Sequence, residues 1–267
     1  AACRGGAARH PQGAAGGAPG QGAPEGGQRS PWIVEVALDA DTQRRLRELW
    51  AGFSTAEPTL ALIDDPHVTL LYLGGGSDKE VAERSPKIGD PARVQRLRLD
   101  LADRDGSAVE AVATSLVIAP GRLACLEVEG VQDICANEYP HVTLACAPGV
   151  PPVRSNEVLA WRAAARDLQA GFGSWLHQLG IRRYEAALWR WCQAMGAASP
   201  DEIVENAAEA AAAVESSDPE QRQRIEEVLQ RAALGEVRVE PLGPAFLLRG
   251  QVAAKWPRRR GGGRSNL

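Results

Sequence analysis

Pro66-His67-Val68-Thr69-Leu70 and Pro140-His141-Val142-Thr143-Leu144 are one pentapeptide used twice, in a chain of 267 residues with four histidines. Each repeat sets β-branched and aliphatic residues behind a proline, the composition of a strand start. The first runs on through Leu71, Tyr72 and Leu73 and is stopped by Gly74-Gly75-Gly76. In a strand, residues i and i+2 share a face about 6.5–7 Å apart. Val68, Leu70, Val142 and Leu144 are therefore expected in the core. His67 with Thr69, and His141 with Thr143, are expected together on the opposite face.

Outward from these strands, residues 32–38 (Trp-Ile-Val-Glu-Val-Ala-Leu) read as a strand, and Asp41 as the cap of a helix over 42–53 with Leu46, Leu49 and Trp50 on one side. A helix is expected over 91–103, then two or three strands between 108 and 129, over 108–112, 115–119 and 123–128. From residue 157 to 234 the pattern turns helical. Its punctuation includes Gly180, Gly196, Ser199-Pro200-Asp201-Glu202 and Asp218-Pro219. Strand character returns over 236–240 and 245–253, separated by a turn region containing Pro241, Gly243 and Pro244. The expected class is α+β, with an all-α insertion over 157–234 inside a domain made of 31–156 and 235–256. Residues 1–30 hold no Val, Ile, Leu, Met or aromatic side chain, and with the basic 257–267 they read as disordered tails.

Charge is balanced, 30 Lys+Arg against 34 Asp+Glu, net −4, which excludes a polybasic nucleic-acid coat. There is no apolar run near 18 residues, so no membrane partner is expected, and no apolar h-region of a secretory signal. The chain starts at Ala1 without Met, consistent with a fragment. Five scattered cysteines without a CxxC favour reduced thiols in an intracellular compartment, cytoplasmic or nuclear.

If the two strands lie side by side, two imidazoles and two hydroxyls converge on one pocket. Imidazole titrates near pH 6.5, so one ring can serve as general base and the other as general acid. Threonine hydroxyls can donate to non-bridging phosphate oxygens. This set suits in-line attack of water at phosphorus with neither metal nor cofactor. Neither histidine has a ligand partner at metal spacing in the sequence. The competing reading of the same residues is a duplicated structural strand with satisfied, buried histidines. His177 reads as surface or packing.

Two His-x-Thr motifs about 70–80 residues apart, each on a strand, resemble the 2H phosphoesterase superfamily. The resemblance implies a bilobed fold of two pseudo-symmetric antiparallel-sheet lobes around a cleft. It also implies His67, Thr69, His141 and Thr143 as the catalytic set. The stretch from His141 through Gly149-Val150-Pro151-Pro152-Val153-Arg154-Ser155-Asn156, and the closing Pro244–Val252 segment, are similar to the cyclic phosphodiesterase domain of fungal-type tRNA ligases. That similarity implies opening of 2′,3′-cyclic phosphates at RNA or nucleotide ends to a 2′-phosphate, in RNA repair or processing such as tRNA splicing. Ser155 and Asn156 are then substrate-binding candidates, with Arg154 and Tyr72. The alternatives are that Ser155-Asn156 caps a helix starting at Glu157 and that Arg154 is merely exposed. The chain lacks an adenylation-lysine motif and a Walker A motif, so it does not resemble a whole ligase. Trp175-Leu176-His177-Gln178-Leu179-Gly180-Ile181-Arg182-Arg183-Tyr184 is similar to the opening of a SAM (sterile alpha motif) domain, with a core over 172–234. It implies a protein partner or self-association. The alternative to an enzyme is an inactive scaffold that binds RNA ends or assembles through that segment.

Overall fold

The computed structural model describes residues 33–214 and 218–255, and both expected tails lie outside them. The described strands are β1 (Ile33–Leu38), β2 (Ala61–Leu62), β3 (His67–Tyr72), β4 (Ala108–Ala119), β5 (Leu123–Glu129), β6 (His141–Cys146) and β7 (Arg238–Lys255). They form one antiparallel sheet in the order β2-β6-β3-β1-β7-β4-β5. A further β5–β6 pairing closes it into a barrel-like ring. Closure leaves β6 between β5 on one side and β3 with β2 on the other.

Two cores pack against opposite faces of this sheet. The first joins Val36, Val68, Leu70, Val142, Leu116 and Ile118 to the helices α1 (Ala40–Ser54), α2 (Asp78–Arg84) and α3 (Pro91–Asp103), through Leu46, Trp50, Val81, Val94 and Leu101. The second joins Val117, Ala119, Leu123 and Cys125 to the helical segment. That segment comprises α4 (Ser155–Arg166), α5 (Leu168–Gln178), α6 (Glu185–Met195), α7 (Pro200–Glu205), α8 (Ala207–Ala212) and α9 (Pro219–Arg231). The alternation of Leu116 and Ile118 with Val117 and Ala119 is thus the sequence of a strand buried on both faces. Because α4, α5 and α9 share a core with β4 and β5, the helical segment packs directly on the sheet. Trp175 is its largest fully buried side chain. No helix among the described residues is long and apolar enough to cross a membrane.

Several boundaries differ from expectation. Asp39, not Asp41, caps α1, accepting from the Thr42 N–H at 2.7 Å. The expected strands 108–112 and 115–119 are one strand, β4, and 236–240 with 245–253 are one strand, β7. The expected turn survives as a bulge. The register steps from Ala113↔Phe246 to Ser115↔Pro241, so residues 242–245 are accommodated without reversing the chain. Helix α2 was unexpected, although Ser77-Asp78-Lys79-Glu80 is a reciprocal capping box. Helix α4 begins at Ser155 rather than Glu157, and neither Ser155 nor Asn156 caps it.

Candidate active site

The two pentapeptides occupy neighbouring strands, with Val68 of β3 directly opposite Val142 of β6. Both valines are fully buried in the first core. Alternation therefore turns His67, Thr69, His141 and Thr143 to the other face of the same two strands. Each imidazole is held identically. His67 Nδ1 lies 2.9 Å from the Asp65 carbonyl, and His141 Nδ1 lies 2.8 Å from the Tyr139 carbonyl. A carbonyl can only accept, so Nδ1 carries the hydrogen in both rings and Nε2 is left for chemistry. The intervening Pro66 and Pro140 explain the repetition. Proline restricts the residue before it to extended backbone, which sets that carbonyl beside the ring two positions later.

The two rings differ in setting. His141 is 7% exposed, whereas His67 is half-buried. Burial pushes the His141 imidazole below its ordinary 6.5, the Tyr139 carbonyl opposes this, and the charge of nearby His67 adds to the lowering. Beside His67 stands Glu35, fully buried on β1, with Oε2 3.6 Å from His67 Nε2. That distance is too long for a hydrogen bond and close enough to act as a counter-ion to an imidazolium. Glu35, Asp65 and His67 bring ligand atoms within 4.8 Å of one another, a spacing that could hold a cation. The Lys255 ammonium already bridges the two carboxylates, 2.7 Å from Glu35 and 2.6 Å from Asp65. The donor set therefore has its positive charge from β7.

Thr143 Oγ1 lies 2.9 Å from Ser155 Oγ and donates to the Pro152 carbonyl at 3.3 Å. Ser155 is fully buried, so its hydroxyl ties α4 to β6. On β3, the register steps from Glu35↔Thr69 to Val34↔Leu71. The extra residue, Leu70, lets Leu70 and Leu71 both reach the core and returns Tyr72, 49% exposed, to the face of Thr69. The Arg84 guanidinium lies over the Tyr72 ring, 5.7 Å from its centroid. Neither Arg154 nor Asn156 meets the histidines. Arg154 pairs with Glu157 and lines a groove that contains neither histidine, and the Asn156 amide donates to the Val153 carbonyl.

Several charged residues at this site escaped the sequence reading. Glu35 sits between Val34 and Val36, where alternation implies solvent, yet it is fully buried against His67 and Lys255. Glu127 of β5 is the cross-strand partner of His141 and so shares its face. It pairs with Arg162 of α4, itself 5% exposed, and accepts from the Ser115 hydroxyl. The signal for Arg162 was a single cation inside the apolar run Val158-Leu159-Ala160-Trp161. The helical segment also braces the second motif, because Ser174 of α5 donates to Glu138 at 2.7 Å, next to the Tyr139 that anchors His141. His177 of the same helix reaches across to α2, with Nε2 3.2 Å from the Arg84 carbonyl.

No family model and no curated protein matches this sequence. Among solved structures, it is similar to the crystal structure of a fungal RNA kinase, with 19% identity and a TM-score of 0.38. The match covers 51% of this chain and 36% of that one, so it spans about a third of the length of the solved protein.

Proposed function

We propose that this protein is a 2H-type cyclic phosphodiesterase that opens 2′,3′-cyclic phosphates at RNA or nucleotide ends by two-histidine acid–base catalysis. The observation that carries the reading is the matched anchoring of His67 and His141. Both Nδ1 atoms are tied to carbonyls two residues upstream, on adjoining strands and on one face. Two histidines kept for packing alone have no need of the same tautomer.

The asymmetry of the pair suggests their roles. His141, neutral through burial, takes the proton from water as it attacks phosphorus. His67, with Glu35 as counter-ion, carries the proton that passes to the leaving ribose oxygen. One P–O bond forms to the water oxygen, one ring P–O bond breaks, and the two protons balance. The Thr69 hydroxyl faces one non-bridging oxygen, and the Thr143 hydroxyl turns from the Pro152 carbonyl to the other while Ser155 donates to it. No metal enters this scheme. The five helices from α5 to α9 are compatible with a SAM-like module that engages a protein partner.

The near-complete burial of His141 favours a second reading, an inactive fold that binds RNA ends without turnover. Incubation with 2′,3′-cyclic AMP in EDTA, followed by phosphorus NMR, separates the two. Ring opening to a single monophosphate regioisomer supports the enzyme. An unopened ring under protein excess overturns it.

A further inference from the structure

Two grooves on the helical segment meet end to end. The first, about 540 Å³, carries Arg182, Arg183 and Arg224; the second, about 520 Å³, carries Arg122, Arg154 and Arg231. Leu179 and Val228 line both, so the grooves form one trench with an apolar floor. A single face of α9 serves its whole length: Gln221, Arg224, Val228 and Arg231 recur at three- and four-residue spacing. The acidic residues of that helix, Glu220, Glu226 and Glu227, line neither groove. One carboxylate, Glu157, lines the trench.

Arg154 pairs with Glu157 and Arg182 with Glu185; the charge of Arg122 also acts on Glu157 while its guanidinium donates to the Ala233 carbonyl, and among the described residues no carboxylate pairs with Arg183, Arg224 or Arg231. In a chain of net charge −4 this is a local concentration of cations set against the overall balance. The trench ends beside the candidate active site. Pro151 and Arg154 form its wall, and between them Pro152 accepts from Thr143, whose hydroxyl also meets Ser155.

We infer that this trench holds a single-stranded RNA whose terminal cyclic phosphate reaches the histidine face. The strand then passes Arg154 and Arg122 and continues along Arg231 and Arg224 to the Arg182-Arg183 end. Guanidinium forks match phosphate oxygens, the Arg183 guanidinium is held over the Tyr184 ring 4.7 Å from its centroid, and the apolar floor of Leu179 and Val228 accepts bases without sequence preference. The inference rests on the phosphodiesterase reading for what happens at the strand's end, and it adds a bound polynucleotide tail to a reacting end that a mononucleotide also supplies.

The test is fluorescence anisotropy of a 5′-fluorescein decaribonucleotide ending in a 2′-phosphate, titrated with protein from about 50 to 200 mM salt. The variant Arg183→Ala/Arg224→Ala/Arg231→Ala removes three phosphate contacts. Each contributes about 0.7 to the slope of log affinity against log salt on single strands, so the slope should shrink by about 2 and low-salt affinity fall at least about tenfold. The variant Arg96→Ala/Arg104→Ala/Arg166→Ala removes the same charge at exposed positions off the trench and should keep the wild-type slope. Equal binding by the two triple variants overturns the trench, as does equal displacement of RNA by poly-glutamate, which would assign it to an acidic protein segment. Opening of 2′,3′-cyclic AMP is measured in parallel. Opening without arginine-dependent binding overturns the trench and leaves the reaction. Arginine-dependent binding without opening supports the trench and overturns the reaction.

Discussion

Replacing Arg162 with methionine should strip the candidate site of the one cation that α4 delivers to the sheet. Arg162 is 5% exposed, and its guanidinium meets Glu127 Oε2 and lies 3.4 Å from Ser115 Oγ. Glu127 in turn stands opposite His141. Methionine fills a similar volume, so the main effect is a carboxylate left with the Ser115 hydroxyl alone. Breaking a buried pair from one side costs about 3–5 kcal/mol. The Glu127 side chain is 24% exposed, so water recovers part of that and the lower end, about 3 kcal/mol, is expected. For a domain of this size that corresponds to a fall of about 6–12 °C in Tm. Urea melts followed by tryptophan fluorescence should show a lower midpoint at unchanged slope. The double variant Arg162→Met/Glu127→Gln leaves no buried charge and should recover more than half of the loss. A single-variant cost below about 1 kcal/mol, or a double variant as unstable as the two singles summed, would show that the pair is solvated and does not clamp α4 to β5.

Three further outcomes follow from the same contacts. Removing the Ser155 hydroxyl with Ser155→Ala should cost about 1 kcal/mol in urea melts, the loss of one buried hydrogen bond to Thr143, and a cost near zero would mean that the contact is not made in solution. His141 gives a pH dependence of defined sign. Its native pKa lies below 6.5, so as the pH falls from 6.5 towards that lowered value the unfolded chain takes up a proton that the native state refuses. Stability should fall across that window by at most about 1.4 kcal/mol per pH unit, be unaffected by this group above it, and lose part of the slope in His141→Asn. The thiols of Cys125, Cys135 and Cys192 are pushed up by burial to about 12, 11 and 11, so iodoacetamide at pH 8 should label them only after denaturation, and rapid labelling in the native state would contradict their burial.

The chemistry-bearing strands were legible because period-two alternation and a leading proline are local properties, and β3 and β6 carry both. Their adjacency was not, since the pairing of Val68 with Val142 is a contact between distant parts of the chain. Tyr72 needed the bulge at Leu70 to reach the face of Thr69, and no residue in Leu70-Leu71-Tyr72 announces a bulge. Glu35 and Arg162 gave no signal in the sequence, because a lone charge in an amphipathic element normally faces solvent. Each is buried here because its partner, Lys255 or Glu127, arrives from another element. The Pro241-Leu242-Gly243-Pro244 stretch of β7 carries turn chemistry, and the ring of strands absorbs it as a bulge because β4 stays paired on both sides of it.

That two imidazoles act together on one phosphate is most sharply examined by the pH dependence of kcat/KM for 2′,3′-cyclic AMP opening in His67→Asn and His141→Asn. Wild type should give a bell whose acidic limb lies below pH 6.5, unaltered by EDTA. Each variant should lose at least about 100-fold in rate. The acidic limb should vanish in His141→Asn and persist in His67→Asn. Wild-type turnover in either variant, or a bell that keeps both limbs in both, would mean that the paired histidines do not perform the chemistry.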